Sequence, residues 1–299
     1  MANFRAFGIA LVLAAAASLS ANAQQLAQIY ISNEWDESIE KLNFSTGELT
    51  TLYSIGGQPD DCTLGPHGEI IYDVPNAGTV DMFDPATGVN TVLATGIYGS
   101  RDLTLEPGGK TLLISKVSGP AEIYRYSFPG HRAEVFFPST NGITSFSGTA
   151  YDAYGNLYAI ASFNTVIQID PKTHAIIDTL TLQPHNGGAG ADGLTYDSYS
   201  KSLWATTVGS SVNGWGLVQI PVQQSGFVSP TDFTFYPIGG GATDGVKSDG
   251  NGNLYIGAIH TALVYNIPSG KLTQSVVTGG ADGVALVPGT YLDKPGTEQ

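Results

Sequence analysis

The stretch TDGVKSDGNGNLYIGA, residues 243–258, sets a carboxylate, Asp244, five residues ahead of a second one, Asp249, and then runs into an apolar segment. Near-copies begin at Asp192 (DGLTYDSYSKSLWAT) and at Ser147 (SGTAYDAYGNLYAIA). The repetition decides the fold, because a fixed period of this kind marks a stack of equivalent units. The recurring first acid is either a turn device or a ligand.

Working outward from the turn that precedes each apolar run, six segments align: 60–73, 102–115, 147–161, 192–206, 244–258, and a last one from Asp282. Their starts lie 42, 45, 45, 52 and 38 residues apart. Each opens with a short apolar strand, turns through a polar tetrad (GPHG, PGGK, AYGN, SYSK, GNGN) and enters a second strand. A third strand follows and closes on another turn, as in VDMFDPATG, VIQIDPKTH and LVYNIPSG. Alternation of Tyr, Val, Ile and Thr, broken at short intervals by Gly and Pro, is the pattern of strands and hairpins. Four short strands per unit of this length predict an all-β, six-bladed β-propeller. The last segment, ADGVALVPG, supplies a first strand without a blade to follow, and AQIYISN near the amino end reads as a second strand. Pairing of the N- and C-terminal strands would close the ring and remove its open edges. The alternative is a seven-bladed ring with a degenerate unit between Asp192 and Asp244.

Residues 1–23 read as a secretory signal peptide, with Arg5, an apolar stretch and the small-x-small site Ala21-Asn22-Ala23. Residues 24–299 then form a single propeller domain, expected in an extracellular or periplasmic location. The chain carries 12 Lys+Arg against 26 Asp+Glu, a net charge of −14, and loss of Arg5 adds one more negative unit. Nucleic acid and anionic membranes are excluded as partners, since both need a basic footprint. A monomer acting on a small molecule is expected. The lone Cys62 rules out an intrachain disulfide. Asn43-Phe44-Ser45 is a glycosylation sequon, relevant only in a eukaryotic host.

In a propeller the first strand of each blade lines the axis, so Asp60, Asp102, Ser147, Asp192, Asp244 and Asp282 are expected around one channel rim. Carboxylates that close must share protons or a cation. All-oxygen donors favour a hard ion such as Ca²⁺ over a tetrahedral Zn²⁺ site. The competing reading is architectural, an Asp at each strand entrance accepting bonds from its own backbone. Asp152, Asp197 and Asp249, in the opposite turns, read as turn residues. Rim loops add Glu34, Trp35, Tyr98, Trp215 and His260 as substrate contacts. Arg101 is a candidate to stabilise an oxyanion or to neutralise excess acid. His185 and His260 are candidate general bases. GGAGADG and IGGGATDG lack a following helix, so phosphate cradling is not expected.

TDGVKSDGNGNLYIGA and ADGLTYDSYSKSLWATT resemble the repeats of the senescence marker protein, gluconolactonase and luciferin-regenerating-enzyme group of six-bladed propellers. The resemblance implies one divalent cation at the channel rim and hydrolysis of a lactone or ester by water activated beside it. Carried over, it matches Asp244 to the family's metal-binding Asp, while Asp192 and Asp102 stand where Asn is expected. The family's Glu has no clear counterpart, and Asp60, Asp282 or Glu34 is its substitute. The expected site is therefore a cation on Asp244, Asp192, Asp102 and Asp60, with Asp102, Arg101 and His185 catalytic. A metal-free cyclase or isomerase and a non-catalytic ligand- or protein-binding propeller are the alternatives.

Overall fold

The computed structural model describes residues 28–138, 142–182, 190–208, 215–238 and 241–287. The expected signal peptide lies outside them. Twenty-three strands and no helix occur among the described residues, so no helix there is long and apolar enough to cross a membrane.

The chain opens with β1 (Gln28–Asn33), β2 (Ser38–Asn43) and β3 (Glu48–Ser54). Four separate sheets follow. The first contains β4 (Cys62–Leu64), β5 (Ile70–Val74), β6 (Thr79–Asp84) and β7 (Val89–Thr95). The second contains β8 (Ser100–Leu105), β9 (Thr111–Lys116), β10 (Glu122–Ser127) and β11 (Arg132–Pro138). The third contains β12 (Phe146–Tyr151), β13 (Leu157–Ala161), β14 (Thr165–Ile169) and β15 (Ile176–Thr181). The fourth contains β16 (Gly190–Asp197), β17 (Ser202–Val208), β18 (Gly216–Gln223) and β19 (Gly226–Phe227), with β20 (Thr234–Pro237) also on β18. The chain ends in β21 (Thr243–Ser248), β22 (Asn253–Asn266) and β23 (Lys271–Leu286).

These last three join the first three in one six-stranded sheet, in the order β21-β22-β23-β1-β2-β3. The carboxy-terminal part of β23 pairs antiparallel with β1, from Ile29 opposite Leu286 to Asn33 opposite Ala281. The two ends of the chain thus satisfy each other's edges, as their strand patterns require. His260 (φ 61°) and Gly279 (φ 91°) interrupt the extended runs of β22 and β23.

Successive sheets face one another through apolar side chains in a propeller-like arrangement. Tyr158, Ile160 and Val166 of the third sheet pack on Leu203, Ala205 and Val218 of the fourth. Trp204 of the fourth packs in turn on Val246, Leu254 and Ile256. Around the axis β4 meets β8, β8 meets β12, β12 meets β16, β16 meets β21, β21 meets β23, and β23 returns to β4.

The glycine of the Asp-Gly pair is what lets these strands approach. A Cβ at Gly193 would lie 2.6 Å from the Asp244 carbonyl oxygen, and one at Gly245 would lie 2.7 Å from that of Asp282. Gly148 and Gly283 meet the next strand's backbone more closely still, at Leu194 and Cys62. Half of the Asp-Gly motif is therefore a packing device at the axis. The opposite turns follow another logic: Asp152 accepts from the Tyr154 and Asn156 amides at 2.8 and 2.9 Å, and Asp249 from the Asn251 amide at 2.8 Å.

Candidate functional site

Strand register decides which side chains share the rim. Cys62, Leu103, Thr149, Leu194 and Val246 pair with Tyr72, Ile114, Ala159, Ala205 and Ile256, the equivalent positions of five second strands. Counting back two residues from each gives Asp60, Arg101, Ser147, Asp192 and Asp244, with Asp282 in the same place before Val284. Arg101, not Asp102, therefore holds the rim position. Asp61 and Asp102 stand one residue deeper, where the other units have glycine. Aligning Leu103 with Leu194, Val246 and Val284, instead of aligning the acids, would have revealed this in the sequence.

The Arg101 side chain reaches across the channel. Its Nε donates to both carboxylate oxygens of Asp192, at 3.2 and 2.9 Å. Nη1 donates to Asp60 Oδ2 at 3.0 Å, and Nη2 donates to Asp192 Oδ2 and to Asp244 Oδ2, the latter at 3.3 Å. Burial works against the guanidinium's charge, but Asp192, Asp244 and Asp60 outweigh it and raise its pKa further. Beneath lies a second cation that sequence reasoning missed. Lys247 Nζ donates to Asp61 Oδ2 at 3.1 Å, to Asp102 Oδ1 at 3.5 Å and to the Leu103 carbonyl at 3.3 Å. Its equivalents in the other first strands are Thr63, Thr104, Ala150, Thr195 and Ala285, all small and uncharged, so nothing local to GVKSD marks it as a channel residue.

Negative charge still exceeds positive. Asp60, Asp61, Asp102, Asp192, Asp244 and Asp282 line the central cavity against Arg101, and Asp73 sits behind Asp60 and Asp61. Burial raises Asp60 well above the ordinary carboxylate range, with Arg101 only partly offsetting it. Asp244 is raised likewise, by burial and then by Asp192. Burial pushes Asp61 up to about 7 and Asp73 to about 6. Asp282 rises to about 8, first through burial and then through the charge and hydrogen bond of Glu34. Buried Asp61 Oδ1 and Asp73 Oδ2 have no hydrogen-bond partner. Such groups take a proton or a counter-ion.

Asp60, Asp244 and Asp282 each present one oxygen, all within 4.8 Å of one another, an arrangement able to hold a metal ion. The donor set fits a hard cation, since every ligand atom is a carboxylate oxygen. The free volume at the axis is about 10 Å³, room for one water-sized group. Of the four ligands read from the sequence, Asp244 and Asp60 belong to this trio. Asp192 spends both oxygens on Arg101. Asp102 accepts from the Thr149 amide at 2.9 Å, from its hydroxyl at 3.0 Å and from the Thr104 hydroxyl at 3.1 Å. Asp282, held in reserve as a substitute, completes the three.

The other sequence candidates stand apart from the cavity. Trp35, half exposed in the β1–β2 turn, meets the His260 ring edge-on at 4.7 Å. Glu34, in the same turn, touches Asp282. Tyr98 is exposed over Gly78, and Trp215 precedes β18; neither lines the cavity, nor do Trp35 and His260. His185 lies outside the described residues. Cys62 is fully buried, and burial pushes its thiol pKa up, so it is no thiolate nucleophile.

No family model matches the chain, and no curated protein matches it by sequence. Solved structures do. A chain of the nidogen/laminin complex aligns over 87% of this chain and 98% of its own, with a TM-score of 0.69 at 15% identity. A gluconolactonase from Xanthomonas campestris aligns over 88% and 85%, with a TM-score of 0.63 at 12% identity. A streptogramin B lyase aligns over 87% and 83%, with a TM-score of 0.61 at 12% identity. At these identities the likeness establishes the β-propeller-like fold.

Proposed function

We propose that this chain is a secreted, monomeric six-bladed propeller enzyme that opens a small-molecule lactone or ester at the mouth of its channel with a divalent cation. The six-stranded sheet counts as two blades, because β22 and β23 turn at His260 and Gly279 and each serves two neighbours. The reading of the site rests on one observation. Three carboxylates from distant parts of the chain, Asp60, Asp244 and Asp282, converge within 4.8 Å where negative charge is already in excess.

Asp60, Asp244 and Asp282 would hold the ion, with Ca²⁺ the best match to an all-carboxylate donor set. Its contribution when bound is Lewis acidity, polarising a carbonyl and making water more acidic. The chain supplies the rest. Glu34 sits against Asp282, just outside the trio, and is the carboxyl placed to pass a proton to or from a reacting oxygen. Arg101 is anchored beside the trio on Asp192. Trp35 with His260, and Tyr98, offer apolar faces at the rim for an uncharged substrate; an anionic one would be repelled by the acid ring.

Elemental analysis before and after chelation, paired with turnover of a panel of small lactones and aryl esters, tests this. Bound calcium together with activity that disappears on chelation is expected. A metal-free protein whose turnover ignores chelator refutes the cation. The second reading, a metal-free hydrolase, lyase or isomerase, is favoured by the guanidinium that already neutralises Asp60 and Asp244. It requires activity that survives chelation and is lost in Asp282→Asn. A rim with no turnover on any substrate would leave a binding propeller.

A further inference from the structure

We infer that Arg101 and the divalent cation compete for Asp60 and Asp244, so that Arg101 sets how weakly the channel site binds its ion. The inference rests on the cation reading above and adds a regulating residue to it. Of the three converging carboxylates, Asp60 accepts from Nη1 at 3.0 Å and Asp244 from Nη2 at 3.3 Å, while no hydrogen bond from the guanidinium to Asp282 occurs among the described residues.

Two features make this competition rather than coexistence. The first is space. The cavity leaves about 10 Å³, enough for one water-sized group, so an ion that enters must shed its hydration shell and take carboxylate oxygens in its place. The second is charge, since a guanidinium in contact with Asp60 and Asp244 repels a cation that needs the same two carboxylates. The geometry also keeps the exchange from disrupting the fold. Arg101 has its firmest anchor on Asp192, outside the trio, through Nε and Nη2, and can stay there while it releases the other two. Buried Asp61 Oδ1, unpartnered beside the same cavity, is a further acceptor left for a cation to satisfy.

The test is calorimetric titration of Ca²⁺ into the metal-stripped protein, in wild type, Arg101→Gln and Arg101→Lys. The wild type is expected in the weak regime of about 10⁻⁴ to 10⁻³ M. Arg101→Gln should bind at least about tenfold tighter, equivalent to roughly 1.4 kcal/mol, and Arg101→Lys should fall between because a compact ammonium keeps the charge but lacks the planar fork that spans Asp192, Asp60 and Asp244. Melting with and without Ca²⁺ covers the risk of poor folding. Arg101→Gln should melt lower than wild type in chelator and gain more from Ca²⁺. Should it fold under neither condition, Arg101→Lys decides, tighter binding supporting the inference and equal or weaker binding overturning it. Tight, equal binding in wild type and Arg101→Gln overturns competition and leaves the cation reading standing. Absence of Ca²⁺ binding in every variant overturns both.

Discussion

Replacing Lys247 by Met is the sharpest probe of the charge layers that plug the channel. The ammonium lies 3.1 Å from Asp61 and 3.5 Å from Asp102, and all three side chains are largely buried, at 17%, 5% and 5% exposure. At an effective dielectric of about 20 each contact carries roughly 5 kcal/mol of attraction, much of which is spent on desolvating the ions. Removing one partner abandons the others, and a stranded buried charge costs about 3–5 kcal/mol. The cost must depend on pH. With Lys247 present Asp61 already titrates at about 7 because of its burial. Without the ammonium its native carboxyl rises further above the unfolded value near 3.9. A raised carboxyl keeps its full stability in acid and loses it as pH rises through the folded pKa. The variant should therefore lose about 3–5 kcal/mol at pH 8 and about 1–2 kcal/mol at pH 5, where Asp61 is protonated in both proteins. Urea unfolding followed by the fluorescence of buried Trp204 reads this directly. Adding Asp61→Asn to Lys247→Met should recover part of the loss at pH 8, since the two residues share one interaction. A loss below about 1 kcal/mol at pH 8, or an equal loss at the two pH values, would refute the argument.

Wild-type stability should fall from pH 5 to pH 8.5, because Asp73, Asp61 and Asp282 are raised to about 6, 7 and 8, chiefly by burial. Each can contribute up to about 1.4 kcal/mol per pH unit, and a flat or rising melting profile would contradict the acid-ring account. Gly245→Ala should cost several times more than Gly47→Ala, since its Cβ would meet the Asp282 carbonyl at 2.7 Å whereas Gly47, at φ +71°, has open space. For Gly47→Ala a loss of about 1 kcal/mol from backbone strain is expected, and comparable melts of the two variants would remove the close-approach role of Asp-Gly. Cys62 should resist a thiol reagent in the native protein and react only on the timescale of unfolding, and fast native labelling would contradict its burial.

Much of the architecture was legible before any coordinates. Two-residue alternation, the Gly-bearing tetrads and the matching incomplete strands at the two ends are local features. They act through hydrogen bonds and side-chain direction within a few residues, and they yielded an all-β repeat with β1 joined to β23. Turn acids such as Asp152 and Asp249 were equally readable, because their partners lie two to four residues away. The rim was read one residue out of step at a single place. Arg101-Asp102-Leu103 was aligned on its acid, although the apolar residue that pairs with the second strand fixes the register.

What the chain's order alone determined is thus the unit, its strands and turns, and the convergence of several acids on one axis. Which acid faces which cation was decided only by closure of the ring. Arg101 reaches Asp192 and Asp244, 91 and 143 residues away, and Lys247 reaches Asp61 across 186. No local pattern encodes those pairings, because the field at each carboxylate is the sum over strands that become neighbours only after every sheet has packed.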